Sequence, residues 1–161
     1  MTAALLNAVT LDIRAVDAQH PQALHLLAEA ALEARALYPE LFAPDSPPPH
    51  NPPLAEREVY LLACHDGQAV GCGALRACTP FVGELRRMFV TRSARRQGVA
   101  RAVLAQLEAH AKRLGYRELV LETGRRQRPA IALYAGCGFR RIAAYGTYIG
   151  DPMSVCFGKR L

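Results

Sequence analysis

From Thr91 to Ala102 the chain reads TRSARRQGVARA, and the chemistry those residue types suit is anion binding. A strand ends, a turn carries Arg92, Arg95, Arg96 and Gly98, and an amphipathic helix begins at once. A helix start leaves backbone N–H groups unpaired and lies at the positive end of the dipole, so it attracts phosphate. Gly98 lets the backbone approach an anion closely, and the arginines add charge-assisted bonds. A solvated basic turn before an ordinary helix would use the same residues, and this stretch alone does not separate the two. Metal chemistry has no comparable signal. Five cysteines (Cys64, Cys72, Cys78, Cys137, Cys156) include no C-x-x-C pair, and five scattered histidines form no H-E-x-x-H. No metal site and no disulfide framework is expected, and the cysteines read as reduced thiols in a cytoplasmic protein.

The elements that must position this turn follow from periodicity. VTLDIRAV (9–16) alternates as a half-buried strand. Asp17 then stands as a candidate N-cap for a helix running to about Leu37, with Leu24, Leu27, Ala28, Ala31 and Leu32 at helical spacing. Seven prolines between Pro39 and Pro53 remove donors and fix φ, so 38–53 is an extended loop, long enough for a functional lid or a tether. EVYLLACH (58–65) and QAVGCGALRAC (68–78) flank Asp66-Gly67, a strong hairpin signal. ELRRMFVT (84–91) is a third consecutive strand, whose alternation places Glu84, Arg86 and Met88 on one face and Leu85, Arg87 and Phe89 on the other. A helix over 97–114 stops at Gly115, a strand covers 117–124, and Pro129 opens a short helix ending near Gly136. Strands at 138–147 and 153–160 close the order β-α-β-β-β-α-β-α-β-β, a mixed α/β fold in one domain over 1–161.

Composition narrows the functional classes. At 161 residues, 51% apolar and 21% charged, with mean hydropathy +0.02, the chain is neither disordered nor membrane-spanning. Its N-terminus lacks the basic and apolar regions of a signal peptide. Twenty basic against 14 acidic residues give a net charge of +6, which points to an anionic partner without choosing among nucleic acid, acidic lipid and phosphorylated ligand.

Two segments carry a family resemblance. Arg95-Arg96-Gln97-Gly98-Val99-Ala100 resembles the R/Q-x-x-G-x-G/A pyrophosphate loop of the GNAT superfamily of acyl-CoA-dependent N-acetyltransferases. Ala130-Ile131-Ala132-Leu133-Tyr134-Ala135-Gly136-Cys137-Gly138-Phe139 is similar to that family's A-x-x-L-Y-x-x-x-G-F segment. The resemblance implies a central sheet of about seven mostly antiparallel strands flanked by helices, with the fourth and fifth strands splayed. It implies acetyl-CoA as donor, held by the backbone of Met88, Phe89 and Val90, by the N–H groups of Arg96 through Arg101, and by the charges of Arg95, Arg96 and Arg101. Gln97, Gly98, Val99, Ala100 and Ala130 fall in the same motifs. Gln127 stands where many members carry Asn, and Ala100 where many carry Gly.

For catalysis the resemblance places Tyr134 where a proton donor meets the leaving thiolate, a role that suits a phenol with a pKa near 10. Glu84 matches a glutamate used as base in some members, and pairing with Arg86 or Arg76 is its equal alternative; Glu122 is a second candidate base. In this fold the first helix, the loop after it and the last strands shape the acceptor pocket, which directs attention to Tyr38, Tyr145 and Tyr148. Arg76 and Arg87 have the chemistry to hold a carboxylate on an amino-acid-like amine. The expected activity is acetyl transfer to a primary amine of a small molecule, with no nucleic-acid or membrane partner and a homodimer as one assembly open to it. A non-catalytic acyl-CoA sensor and a basic nucleic-acid module remain the alternatives.

Overall fold

The computed structural model describes residues 10–161; Val9, the first residue of the expected opening strand, lies outside them. Its elements are β1 (Leu11–Val16), α1 (Pro21–Leu37), β2 (Val59–His65), β3 (Gln68–Ala77), β4 (Val82–Val90), α2 (Val99–Arg113), β5 (Glu118–Gly124), α3 (Arg128–Gly136), β6 (Arg140–Ile142) and β7 (Ser154–Arg160). The strands form one sheet in the order β1-β2-β3-β4-β5-β7-β6. Neighbours are antiparallel except β4 and β5, which run parallel. That is the fold the sequence implied, and strands from both sides of the proline-rich loop join the one sheet.

Helices cover both faces, and β2 shows why its sequence is apolar throughout instead of alternating. Tyr60, Leu62 and Cys64 pack with Ala23 and Leu26 of α1, while Val59, Leu61 and Ala63 pack with Val103, Leu104 and Leu107 of α2. The β2–β3 turn has φ 48° at Asp66 and 77° at Gly67, the two left-handed residues a tight hairpin of matching twist requires. At the start of α1 the cap is His20, not Asp17: its Nδ1 accepts from the Gln22 N–H at 3.1 Å, and Pro21 fills the first helical position. Asp17 accepts instead from the Gln19 N–H at 2.7 Å, forming the turn that precedes the cap. The strand expected over 138–147 keeps only Arg140–Ile142, after which the chain leaves the sheet and coils into a 3₁₀ turn at Gly146–Tyr148.

Two irregularities of β4 interrupt the sheet near its middle. Its pairing with β5 runs only from Val82–Glu118 to Leu85–Leu121, so the strands part beyond Leu85 and the β5-facing edge of β4 lacks a strand partner. The second is a β-bulge, where Arg87 and Met88 together oppose Gly73 of β3, and Arg87 adopts φ 60°. The extra residue overturns the expected alternation. Met88 joins Leu85 on the α2 face, and Arg87 turns to the α1 face, where its Nε donates to Asn51 Oδ1 at 2.9 Å. Gly73 makes room, since a Cβ there would lie 2.7 Å from Met88 Sδ and 2.8 Å from Leu107 Cδ1.

Candidate active site

Local backbone geometry shapes the candidate anion loop. Arg96 and Gly98 have φ 61° and 80°; because a left-handed residue cannot continue a right-handed helix, α2 starts at Val99 and not at the expected 97. Among the described residues no acceptor takes the backbone N–H of any residue from Arg96 to Arg101, and the first helical bond is Ala102 N–H to Gly98 C=O at 3.0 Å. Six donors are therefore left without a protein partner, among the described residues, at the positive end of α2. A Cβ on Gly98 would have no atom within 4 Å, so the space in front of the loop is open. The arginines divide: Arg96 is exposed, while Arg95 makes two bonds to the Glu33 carboxylate of α1 at 2.9 and 2.7 Å and one to Val90 C=O. Arg101 lies beside the Cys137 thiol at 3.4 Å.

Where β4 leaves β5, a cavity of about 190 Å³ opens between Arg86, Arg87 and Met88 on one side and Glu122, Thr123, Gly124, Gln127, Ala130 and Tyr134 on the other. Tyr134 is 5% exposed, and its ring meets those of Phe139 and Phe157 at 5.9 and 6.1 Å between centroids. Burial raises its phenol pKa, with a smaller push from Cys137. Glu122 accepts from Ser154 Oγ at 2.9 Å, and burial raises its pKa above the usual carboxylate range despite that bond. Glu84 lies outside this cavity and pairs with Arg86 at 3.1 Å. Beside Glu84, the Tyr145 ring stacks edge-on with Tyr148 at 5.4 Å, and burial followed by the Glu84 carboxylate drives the Tyr145 phenol pKa up.

A second cleft, about 320 Å³, lies on the α1 face under the proline-rich loop and shares Arg87, Met88 and Gln127 with the first. The loop is strapped down by bonds that composition could not reveal. Arg76 donates to the carbonyls of Pro52 and Pro53 and pairs with Glu58 at 2.7 Å. Arg87 holds Asn51 and the His50 carbonyl, and the buried Asn51 reaches on to the Ala18 carbonyl at 3.0 Å. Tyr38 lines neither cavity: it is buried and accepts from the Arg126 N–H at 2.9 Å. Its ring occupies the space beside Gly124, where a Cβ would overlap the Tyr38 hydroxyl and lie 2.7 Å from Cζ. Gly124→Ala is therefore expected to cost about 2 kcal/mol by forcing Tyr38 out of place, a fall of roughly 6 °C in Tm by calorimetry.

A model of the Acetyltransferase (GNAT) family matches residues 23–139, a span that contains the anion loop, the strand gap and Tyr134. The chain belongs to this family. An IAA acetyltransferase from Azospirillum brasilense is 40% identical over 110 residues, 67% of this chain and 72% of that protein. A solved structure from Klebsiella pneumoniae, described as that of an acyl-CoA N-acyltransferase, is 31% identical with TM-score 0.77, covering 95% of this chain and 99% of that one. A GNAT family acetyltransferase from Elizabethkingia anophelis with acetyl-CoA bound shares the fold with TM-score 0.67 at 19% identity, over 94% of this chain and 98% of that one.

This GNAT chain is thus by family an acyl-CoA-dependent N-acetyltransferase, and its residues fit such a donor. Six unpaired N–H groups and an open glycine suit a pyrophosphate, and the free edge of β4 suits the amides of a pantetheine arm. Sequence reasoning missed Asn51 and Tyr60. An asparagine in a proline-rich loop and a tyrosine in an apolar strand carry no periodic signal that marks them as polar groups beside a cleft.

Proposed function

We propose that the protein transfers an acetyl group from acetyl-CoA to a primary amine of a small molecule by direct attack, with both substrates bound together. One observation carries this reading: the six unpaired N–H groups at Arg96–Arg101 lie at the end of the strand whose gap is lined by Glu122 and Tyr134. Acetyl-CoA supplies a thioester, whose carbonyl carbon an unprotonated amine attacks. In this reading Met88, Phe89 and Val90 offer backbone groups to the pantetheine. The loop, with Gln97, Val99 and Ala100 beside Gly98, cradles the phosphates with charge from Arg96 and Arg101, and Gln127 and Ala130 flank the thiol end. Arg95, tied to Glu33, fixes the loop against α1. Holding both reactants in one geometry supplies much of the rate. The reading goes with a cytoplasmic protein, where the five free thiols stay reduced.

Tyr134 is the proton donor to the departing thiolate, because a phenol whose pKa is raised from 10 stays protonated wherever the amine reacts. For the base, Glu122 is favoured over Glu84, which is engaged by Arg86 while Glu122 faces the cavity. A raised carboxyl pKa improves a base for neutral pH and sets its working limit: below that pKa Glu122 is protonated and cannot accept. The low-pH limb of kcat/KM should therefore lie above the ordinary carboxylate range. Glu122→Gln should remove that inflection and lower the rate by roughly 100-fold, while Glu84→Gln keeps it. Profiles with the opposite assignment would make Glu84 the base. The activity itself is tested by amine-dependent release of CoA thiol from acetyl-CoA across a panel of primary amines; no release above hydrolysis with any amine would contradict it.

A further inference from the structure

We infer that the acceptor is a free α-amino acid with an apolar side chain, its carboxylate received by Arg87 and its side chain by the cleft beneath the proline-rich loop. This rests on the acyl-transfer reading above and names its second substrate.

Arg87 carries a charge that lacks a counter-ion among the described residues. Three arginines crowd this face of β3 and β4: Arg76 has Glu58 and Arg86 has Glu84, but no carboxylate lies within salt-bridge distance of Arg87 among the described residues. Arg87 is half-buried, and its charge is opposed by desolvation and by its neighbours Arg86 and Arg76. It donates only to neutral oxygens, Asn51 Oδ1 and the His50 carbonyl. A desolvated cation held by neutral dipoles at a cavity wall is completed by an anion from outside.

A second polar group points the same way. Tyr60 is 0% exposed and lines the cleft, and among the described residues its hydroxyl makes no hydrogen bond of ordinary geometry. Cys72 and Asn51 lie within hydrogen-bonding reach of it, and Arg87 is close by. A buried hydroxyl without a well-formed bond costs stability, so the wall beside Arg87 is polar and not fully satisfied by the protein itself.

Apart from Gln127 and from Arg35, which donates to the Ser46 carbonyl at 3.1 Å and lies over the Phe42 ring, the rest of the cleft is apolar. Leu26, Leu27, Ala30 and Ala31 form the helical wall, Phe89 the sheet wall, and Pro47 and Pro49 the roof. Its volume of about 320 Å³ is at the small end of the range for small-molecule sites. Arg87, Met88 and Gln127 border both cavities, so a carboxylate on Arg87 leaves only a short step to the strand gap. An α-amino acid spans that step, because its amine and carboxylate share one carbon, and its side chain then has the apolar cleft to fill.

The test measures kcat/KM for L-phenylalanine and L-leucine against phenylalaninamide, phenethylamine and glycine, with acetyl-CoA binding followed separately by calorimetry. Phenylalaninamide keeps the body and amine but replaces the carboxylate with an uncharged amide. The expected result is phenylalanine ahead of phenylalaninamide and of glycine by about 30-fold or more. Arg87→Met should reduce the carboxylate preference to within about threefold, Arg87→Lys should restore part of it, and Ala30→Trp should remove the preference for phenylalanine over glycine. The inference is overturned if the wild-type enzyme treats phenylalaninamide or phenethylamine as well as phenylalanine. It is overturned equally if Arg87→Met keeps the preference, or if acetyl-CoA binds and no amino acid is acetylated. Failure of acetyl-CoA to bind would instead overturn the acyl-transfer reading, and the acceptor class with it.

Discussion

Gly98→Asp is expected to weaken acetyl-CoA binding by about a thousandfold. The substituted carboxylate would project into the open space before the loop, where a Cβ has no neighbour within 4 Å and where six backbone donors without a partner among the described residues would meet the phosphates of the donor in this reading. Two unit charges about 4 Å apart near a protein surface repel by roughly 4 kcal/mol, and each 1.4 kcal/mol is a factor of ten in affinity. Backbone strain adds a smaller effect on stability. A non-glycine residue at φ 80° costs about 1–2 kcal/mol, so Gly98→Ala should lower Tm by several degrees while losing far less affinity than Gly98→Asp. Calorimetric titration of the three proteins separates repulsion from strain. Equal losses in the alanine and aspartate variants would show that conformation, not charge, governs the loop.

The second large effect is on turnover. Tyr134→Phe should cut kcat by about 100-fold, within the range for removing a general acid, and leave acetyl-CoA affinity within about threefold of wild type. The ring is what the fold uses: Phe139 and Phe157 pack on it, and phenylalanine keeps those contacts. The hydroxyl makes no hydrogen bond among the described residues while its residue borders the cavity, so its removal strands no partner and stability should change by less than about 0.5 kcal/mol. Single-turnover kinetics beside a melting curve would isolate the chemical step. Unchanged turnover would remove the proton-donor role and leave Tyr134 as packing.

The contrast between β4 and the anion loop shows what the sequence made legible. Gly98 stands between arginines just ahead of an amphipathic run, and each local preference there agrees with the final geometry. Asp66-Gly67 is similarly local, and its two positive φ angles follow from residue type. The bulge at Arg87 has no such signature: arginine at φ 60° is a tertiary outcome, stabilised by room at Gly73 and by Asn51 across the chain. That one inserted residue exchanged the expected faces of Arg87 and Met88, moving the arginine to the α1 cleft. Asn51 illustrates the same limit, since its partners Ala18 and Arg87 lie 33 and 36 residues away. The preference for Glu122 over Glu84 depends on where β4 parts from β5, a separation that alternation within either strand cannot encode.

We propose that the loop at Gly98 and the gap beside it form an acyl-CoA site. Its most direct test is calorimetric titration of the wild-type chain with acetyl-CoA, with free CoA and a short DNA duplex as comparisons, at moderate and raised salt. Saturable micromolar binding of acetyl-CoA and CoA with a shallow salt dependence, and weak duplex binding that falls steeply with salt, is the result expected. Absence of binding by either CoA species, with saturable binding of the duplex, would contradict the account and make the basic loop a clamp for a different anion.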